Sequence, residues 1–258
     1  MSESHERNDR PLLEVEGLTK KFRGLTAVDE VDLSVAPSEI RSVIGPNGAG
    51  KTTLFNLLTG TYEATAGRII FDGEDITDRP DHRRPYIGIS RSYQISNIYG
   101  SMTVFENLET AVALYEQNYL NVVEPLDRDG EIATKVEELL QSLDLSEERD
   151  VEATSLSHGD RRRLEIGMSL ASDPKLLLLD EPTAGMDAAE TQRTMDFIET
   201  LGEDMAILLV EHDIEHVMQV STNITVLERG SVIADGPPET IRSNEAVQEA
   251  YLGDTSNA

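Results

Sequence analysis

The sequence predicts an α/β domain with a mainly parallel sheet and helices on both of its faces. Three observations predict it. Short apolar runs alternate with helix-period segments, a glycine-rich turn joins a strand to a helix at residues 45–53, and a block of helical periodicity interrupts the middle of the chain.

In order, Leu12–Leu18 alternates weakly and reads as an edge strand. Val28–Val35, apolar at every second or third place, reads as another. Glu39–Ile44 runs straight into the glycine-rich turn, after which Lys51–Thr59 places Leu54, Leu57 and Leu58 at helical spacing. Gly67–Phe71 is a short strand ending at the turn Asp72-Gly73. Val104–Tyr115 and Ile132–Leu143 carry helical periodicity, with a polar loop from Glu116 to Gly130 between them and a third helix beginning near Gly159. Residues 95–160 therefore read as a helical subdomain inserted into the sheet. Beyond Lys175 the alternation returns as strand Leu176–Leu179, helix Ala188–Leu201, strand Ala206–Val210 and helix Ile214–Val220. No repeat or long linker divides the chain, so residues 11–253 read as one domain with flexible tails at 1–10 and 254–258.

Composition narrows the function. The 258 residues are enough to bury a core, and the lack of cysteine excludes a disulfide framework, a thiolate metal site and a cysteine nucleophile. No run approaches the length of a membrane span, and the polar N-terminus lacks the apolar segment of a signal peptide, so the expectation is a soluble cytoplasmic protein. With 49 acidic against 22 basic residues the formal charge is −27, which repels nucleic acid and argues against it as a partner. Only five of the basic residues are lysines, and the acids are spread along the chain. Such a surface serves solubility, or it suits a salt-rich cytoplasm where screening removes the self-repulsion. In the second respect the composition resembles that of proteins from extreme halophiles.

Two motifs carry chemistry. Gly45-Pro46-Asn47-Gly48-Ala49-Gly50-Lys51-Thr52-Thr53 fits the phosphate-binding P-loop pattern of a P-loop NTPase. Its glycines let successive N–H groups converge on phosphate, and the helix N-terminus adds its dipole. Lys51 supplies a point charge for the β- and γ-phosphates, and the Thr52 hydroxyl is a magnesium ligand. In Leu176-Leu177-Leu178-Leu179-Asp180-Glu181-Pro182, four leucines fit a strand buried on both faces, with two acids at its carboxyl end. Asp180 is expected to hold Mg²⁺ through water, and Glu181 to polarise the attacking water. Adjacent acids after a strand are otherwise often a helix cap.

With these motifs, Gln94 in Ser90-Arg91-Ser92-Tyr93-Gln94, Leu156-Ser157-His158-Gly159-Asp160, Ala184-Gly185-Met186-Asp187 and Glu211-His212-Asp213 make the chain resemble the ABC transporter ATPases. The resemblance covers about Leu12 to Gly253. It implies an N-terminal antiparallel β region, ATP and Mg²⁺ as cofactors, and further site residues. Phe22 falls where the family places a ring that stacks on adenine. Gln94 would reach the magnesium and the attacking water and link the site to the membrane partner. Ser157 and Gly159 would hold the γ-phosphate of ATP bound by an opposing subunit. His212 would contact the γ-phosphate and fix Glu181, and Asp187 belongs to the loop joining the two subunits' sites. Arg161, Arg162 and Arg163 read as a partly exposed helix face. The common signature LSGGQ stands here as LSHGD, so Asp160 puts a carboxylate where an amide is usual. The expectation is that it also offsets the neighbouring arginines.

Met102–Leu108, Leu164–Met168, Val210–Asp213 and Ala250-Tyr251-Leu252-Gly253 look like the ATPases of branched-chain amino acid importers and the similar urea or short-amide importers. This branch implies a second ATPase subunit (the same chain or a related one), two membrane-spanning permease subunits, and indirectly an extracytoplasmic solute-binding protein. It also implies a place on the inner face of the cell membrane, with Ile98 and Tyr99 in a groove around a cytoplasmic helix of the permease. Non-transport ABC ATPases, exporter ATPases and small-molecule kinases are the alternatives. The single ATPase unit, the acidity and the LSHGD and EHD segments weigh against the first and last of these.

Overall fold

In the computed structural model, residues 10–92, 98–116 and 128–252 are described. Gln94, most of the expected loop 116–130 and nearly all of the two expected tails lie outside them. An antiparallel sheet comes first. Strand β1 (Leu13–Phe22) lies between β2 (Leu25–Val35) and β4 (Ala66–Phe71), with β5 (Glu74–Asp75) beyond β4. The segment expected as an edge strand is thus interior, while β2 is the edge. Its weak alternation follows from breaks in register near Gly17, which shift the side chains between the two faces.

The second sheet has the order β10-β9-β3-β8-β7-β6, where β3 is Ile40–Ile44, β6 Ile89–Ser92, β7 Leu176–Asp180, β8 Ala206–Val210, β9 Asn223–Glu228 and β10 Ser231–Gly236. Five strands are parallel, and β10 is antiparallel to β9. Alternating leucines of β7 face two different cores. Leu176 and Leu178 pack with the antiparallel sheet and helix α1 (Lys51–Leu58), and Leu177 and Leu179 pack under the helices. This accounts for the unbroken leucine run, since both faces of a central parallel strand are covered.

Between β6 and β7 the chain forms α2 (Val104–Glu116), α3 (Arg128–Ser142) and α4 (His158–Leu170). Leu108, Val112, Leu140 and Leu164 unite them in one core with α5 (Ala188–Gly202). Helix α3 begins before the expected Ile132. A smaller core beneath β3 and β9 takes in α6 (Ile214–Val220), α7 (Pro238–Arg242) and α8 (Glu245–Leu252). Among the described acidic residues only Glu39, Asp180 and Glu211 are buried, so the negative charge is indeed borne by the surface.

Candidate active site

The P-loop runs from the carboxyl end of β3 into α1, and two of its glycines are sterically required. A Cβ on Gly45 (φ 151°) would stand 2.1 Å from the Leu227 carbonyl oxygen. One on Gly50 (φ 107°) would stand 2.4 Å from that of Ala27. Gly50 caps α1 without any side-chain hydrogen bond, leaving the helix N-terminus free to meet an anion. Asn47 to Thr53 line a cavity of about 600 Å³ together with Leu25, Thr26, Ala27, Glu181, His212 and Arg229. Lys51 Nζ donates to the carbonyls of Gly45 (2.5 Å) and Pro46 (3.1 Å). Burial lowers its pKa, against the opposing fields of Glu181 and Asp180.

At the ends of β7 and β8 two acids take different environments. Glu181, in a left-handed backbone conformation (φ 48°), faces the cavity, and its Oε1 lies 2.6 Å from His212 Nε2. Glu211 is buried and braces the pair. It accepts from the Thr183 backbone N–H (2.9 Å), the Thr183 hydroxyl (2.7 Å) and the His212 backbone N–H (3.2 Å). Asp213 caps α6, so the EHD segment fixes its own helix as it presents the histidine. Asp180 is fully buried, with Oδ2 accepting from Arg91 Nη2 at 2.7 Å and Oδ1 without a hydrogen-bond partner among the described residues.

Ser157 is the N-cap of α4. Its hydroxyl accepts from the Asp160 backbone N–H (3.1 Å) and donates to Asp160 Oδ2 (2.8 Å), while Arg163 donates to Asp160 Oδ1 (2.5 Å). Asp160 therefore joins the helix cap and also offsets one of the arginines. Arg162, expected on a partly exposed face, is instead buried, donating to the Asp180 carbonyl (2.8 Å) and Glu165 (2.7 Å). The reason is position: 162 is the place on α4 that turns toward β7. His158 Nε2 lies 3.1 Å from the Ala184 carbonyl oxygen, and Asp187 caps α5 in a capping box with Glu190.

The structure thus brings Asn47 to Thr53, Glu181 and His212 around one cavity. Ser157, Gly159 and Asp180 are not part of its lining, and neither is Phe22, 38% exposed at the end of β1 and edge-on to Tyr62 at 5.4 Å. Sequence reasoning missed Arg91, Asn56, Arg229 and the scaffolding role of Glu211. Arg229-Gly230 did carry a signal, since an X-Gly pair between two alternating runs marks a hairpin. Both residues have positive φ, and the turn hydrogen-bonds to Asp29 and Ala49, beside the P-loop.

A sequence profile described as "ABC transporter" matches residues 28–184, and one described as "Branched-chain amino acid ATP-binding cassette transporter" matches residues 231–256. The chain belongs to the ABC transporter ATPase family. It is 40% identical to the high-affinity branched-chain amino acid transport ATP-binding protein BraF of Pseudomonas aeruginosa, over 95% of this chain and 99% of that protein. With LivG of Escherichia coli K12 it shares 39% identity over the same proportions. It shares 38% with the probable LivG of Archaeoglobus fulgidus, over 94% of this chain and 95% of that one. Among solved structures, the ADP conformation of the ATP-binding cassette MJ1267 superposes with a TM-score of 0.84 at 30% identity, over 95% of this chain and 99% of that one. A nucleotide-free ABC cassette gives 0.82 at 29%, over 94% and 99%. The family explains why this cassette gathers a phosphate loop, an acid and a histidine around one cavity: it is an ATPase built to couple hydrolysis to transport.

Proposed function

We propose that this chain binds Mg·ATP on its P-loop and powers the import of branched-chain amino acids through separate permease subunits. The observation that carries the reading is the Glu181–His212 pair, 2.6 Å apart, in the lining of the same cavity as Lys51 and Thr52. In that cavity the loop amides and Lys51 hold the phosphates, Glu181 polarises the attacking water and His212 keeps Glu181 in place. Phe22 stacks on the base. The donors present suit magnesium, which is usually held by one or two carboxylates with phosphates and water. Thr52 and Asp180 are at hand, Asp180 Oδ1 is buried with no hydrogen-bond partner among the described residues, and Gln94, outside those residues, is the further ligand in this reading. When bound, the cation offsets phosphate charge.

Ser157 and Gly159 stand outside this cavity, which supports a closed pair of subunits in which each signature covers the other's ATP. A Cβ on Gly159 would make only ordinary contact with Glu190 of its own chain, at 3.5 Å, so packing within the chain does not itself require a glycine there. The match of residues 231–256 and the curated relatives favour branched-chain amino acids as the solute. Residues 11–253 act as one cassette whose helical part, about 95–160, meets the permease. A groove of about 1070 Å³, lined by Ile98, Tyr99, Leu114 and Met168 among others, receives a cytoplasmic helix of that partner. No described helix is long and apolar enough to cross a membrane, in keeping with a peripheral place on the inner membrane face. The acidic surface adapts the chain to a salt-rich interior.

The test is light scattering of Glu181→Gln with ATP or ADP, in molar KCl and in dilute buffer. The variant keeps the binding cavity and loses the group that polarises water. A dimer with ATP alone, formed at high salt, is the expected result. Folded protein that stays monomeric with ATP at every salt concentration refutes closure between identical chains.

A further inference from the structure

Arg91 sits on β6, in register with Leu178 of the neighbouring β7, and its side chain is only 9% exposed. Its guanidinium joins three elements. Nη2 donates to Asp180 Oδ2 at the end of β7 (2.7 Å), and Nη1 donates to Asn56 Oδ1 on α1 (2.7 Å). The guanidinium carbon lies 5.7 Å from the centre of the Phe55 ring, also on α1. From the other side Arg162 of α4 holds the Asp180 backbone carbonyl (2.8 Å). Asp180 is therefore fixed at its main chain and at one carboxylate oxygen, and its Oδ1 is the part left without a hydrogen bond among the described residues.

We propose that Arg91 is a positioning residue for the cation that accompanies ATP: it holds Asp180 Oδ2 and so presents Oδ1 to the metal or its water. The proposal rests on the nucleotide reading above. A buried carboxylate is costly unless both oxygens find partners, and an unsatisfied buried acceptor is uncommon. Two roles for a guanidinium beside a metal-binding acid are open in general, competitor and orienter. Here the other arm of the fork is anchored on Asn56, so the guanidinium does not swing across to take Oδ1 as well. The tether to α1 also ties the acid's orientation to the helix that carries Lys51 and Thr52. This is how hydrogen-bonded partners behind a metal ligand act: they set its direction without touching the metal, and losing one costs about 10- to 100-fold in metal affinity.

The test compares wild type, Arg91→Met, Arg91→Lys and Asn56→Ala in binding of a fluorescent ATP analogue, titrated with Mg²⁺ and repeated in EDTA. Direct cation binding is followed by Mn²⁺ paramagnetic resonance. Arg91→Met should need at least about 10-fold more Mg²⁺ for the same analogue affinity, with affinity in EDTA within about twofold of wild type. Arg91→Lys, which keeps the charge but cannot fork, should fall between. Asn56→Ala keeps both charges, should shift the Mg²⁺ dependence in the same direction by a smaller factor, and carries the test if Arg91→Met does not fold. An unchanged or a tighter Mg²⁺ response overturns the proposal, the latter by making Arg91 a competitor. Equal losses with Mg²⁺ and in EDTA overturn it too, by making Arg91 merely structural. Wild type that binds the analogue equally with and without Mg²⁺ overturns the proposal, and wild type that binds it in neither condition refutes the nucleotide reading itself, whatever the variants do.

Discussion

Arg84 offers the sharpest test of how the P-loop helix is held. It is 2% exposed, and its guanidinium makes all five of its hydrogen bonds to backbone carbonyls, those of Leu57, Leu58, Ile76, Thr77 and Arg79. The first two belong to the last turn of α1, so a cation caps the negative end of the helix that carries Lys51 at its other end. Burial, helped by the neighbouring Arg79 charge, pushes the Arg84 pKa down to about 10, a penalty on its charged form of roughly 3 kcal/mol. Four good hydrogen bonds from a charged donor and one long one, to Thr77 at 3.4 Å, contribute about 6–7 kcal/mol at the low end of the usual range. Arg84→Met keeps the apolar stem and strands the carbonyls. The net expectation is a loss of about 3–4 kcal/mol, near 10 °C in melting temperature for a chain of this size. Arg84→Lys, with three donors in no fixed fork, should lose about half of that. Urea denaturation at constant KCl measures it. A loss under about 1 kcal/mol for Arg84→Met would show that water reaches these carbonyls, and would refute the sealed cap.

Gly45→Ala should abolish ATP binding while leaving a folded protein of lowered stability. The new Cβ would sit 2.1 Å from the Leu227 carbonyl oxygen at a φ that alanine avoids, and forcing it costs roughly 2–4 kcal/mol. Analogue binding by Gly45→Ala within tenfold of wild type would contradict the loop geometry. Tyr251 on α8 packs in the core beneath β3, next to the P-loop, and burial pushes its phenol up to about 12, against a smaller opposing effect of a hydrogen bond from the Gly45 backbone. Above pH 10.0 the unfolded chain releases this proton while the folded one keeps it, so wild type should lose stability relative to Tyr251→Phe between pH 10.0 and about 12. Parallel pH profiles of the two proteins would refute that burial.

Much of the site was legible because its signals are local. Glycine spacing, a lysine and a threonine after β3, and two acids after four leucines depend on little beyond their own segment. The strand β6 was not legible, for Ile-Ser-Arg-Ser has no apolar run and is a strand only because β7 lies beside it. The β9–β10 hairpin had its turn signal in Arg229-Gly230, but only the packing of that hairpin against the P-loop sets Arg229 in the cavity. Of the three arginines, Arg161 and Arg163 are half-buried as expected and only Arg162 was misjudged, since adjacent positions on a helix point in different directions and only packing decides which is buried.

By itself the sequence determined the α/β architecture and the phosphate loop, because backbone φ preferences, apolar periodicity and residue type are properties of short segments, while the family resemblance pointed to Glu181 and His212. Tertiary structure alone decided that Arg91 and Arg162 converge on Asp180, that Arg84 caps α1, and that Glu211 braces Glu181 and His212. Those contacts join residues from separate strands and helices. Their partners are chosen by where the sheets and helices pack, which no single segment encodes.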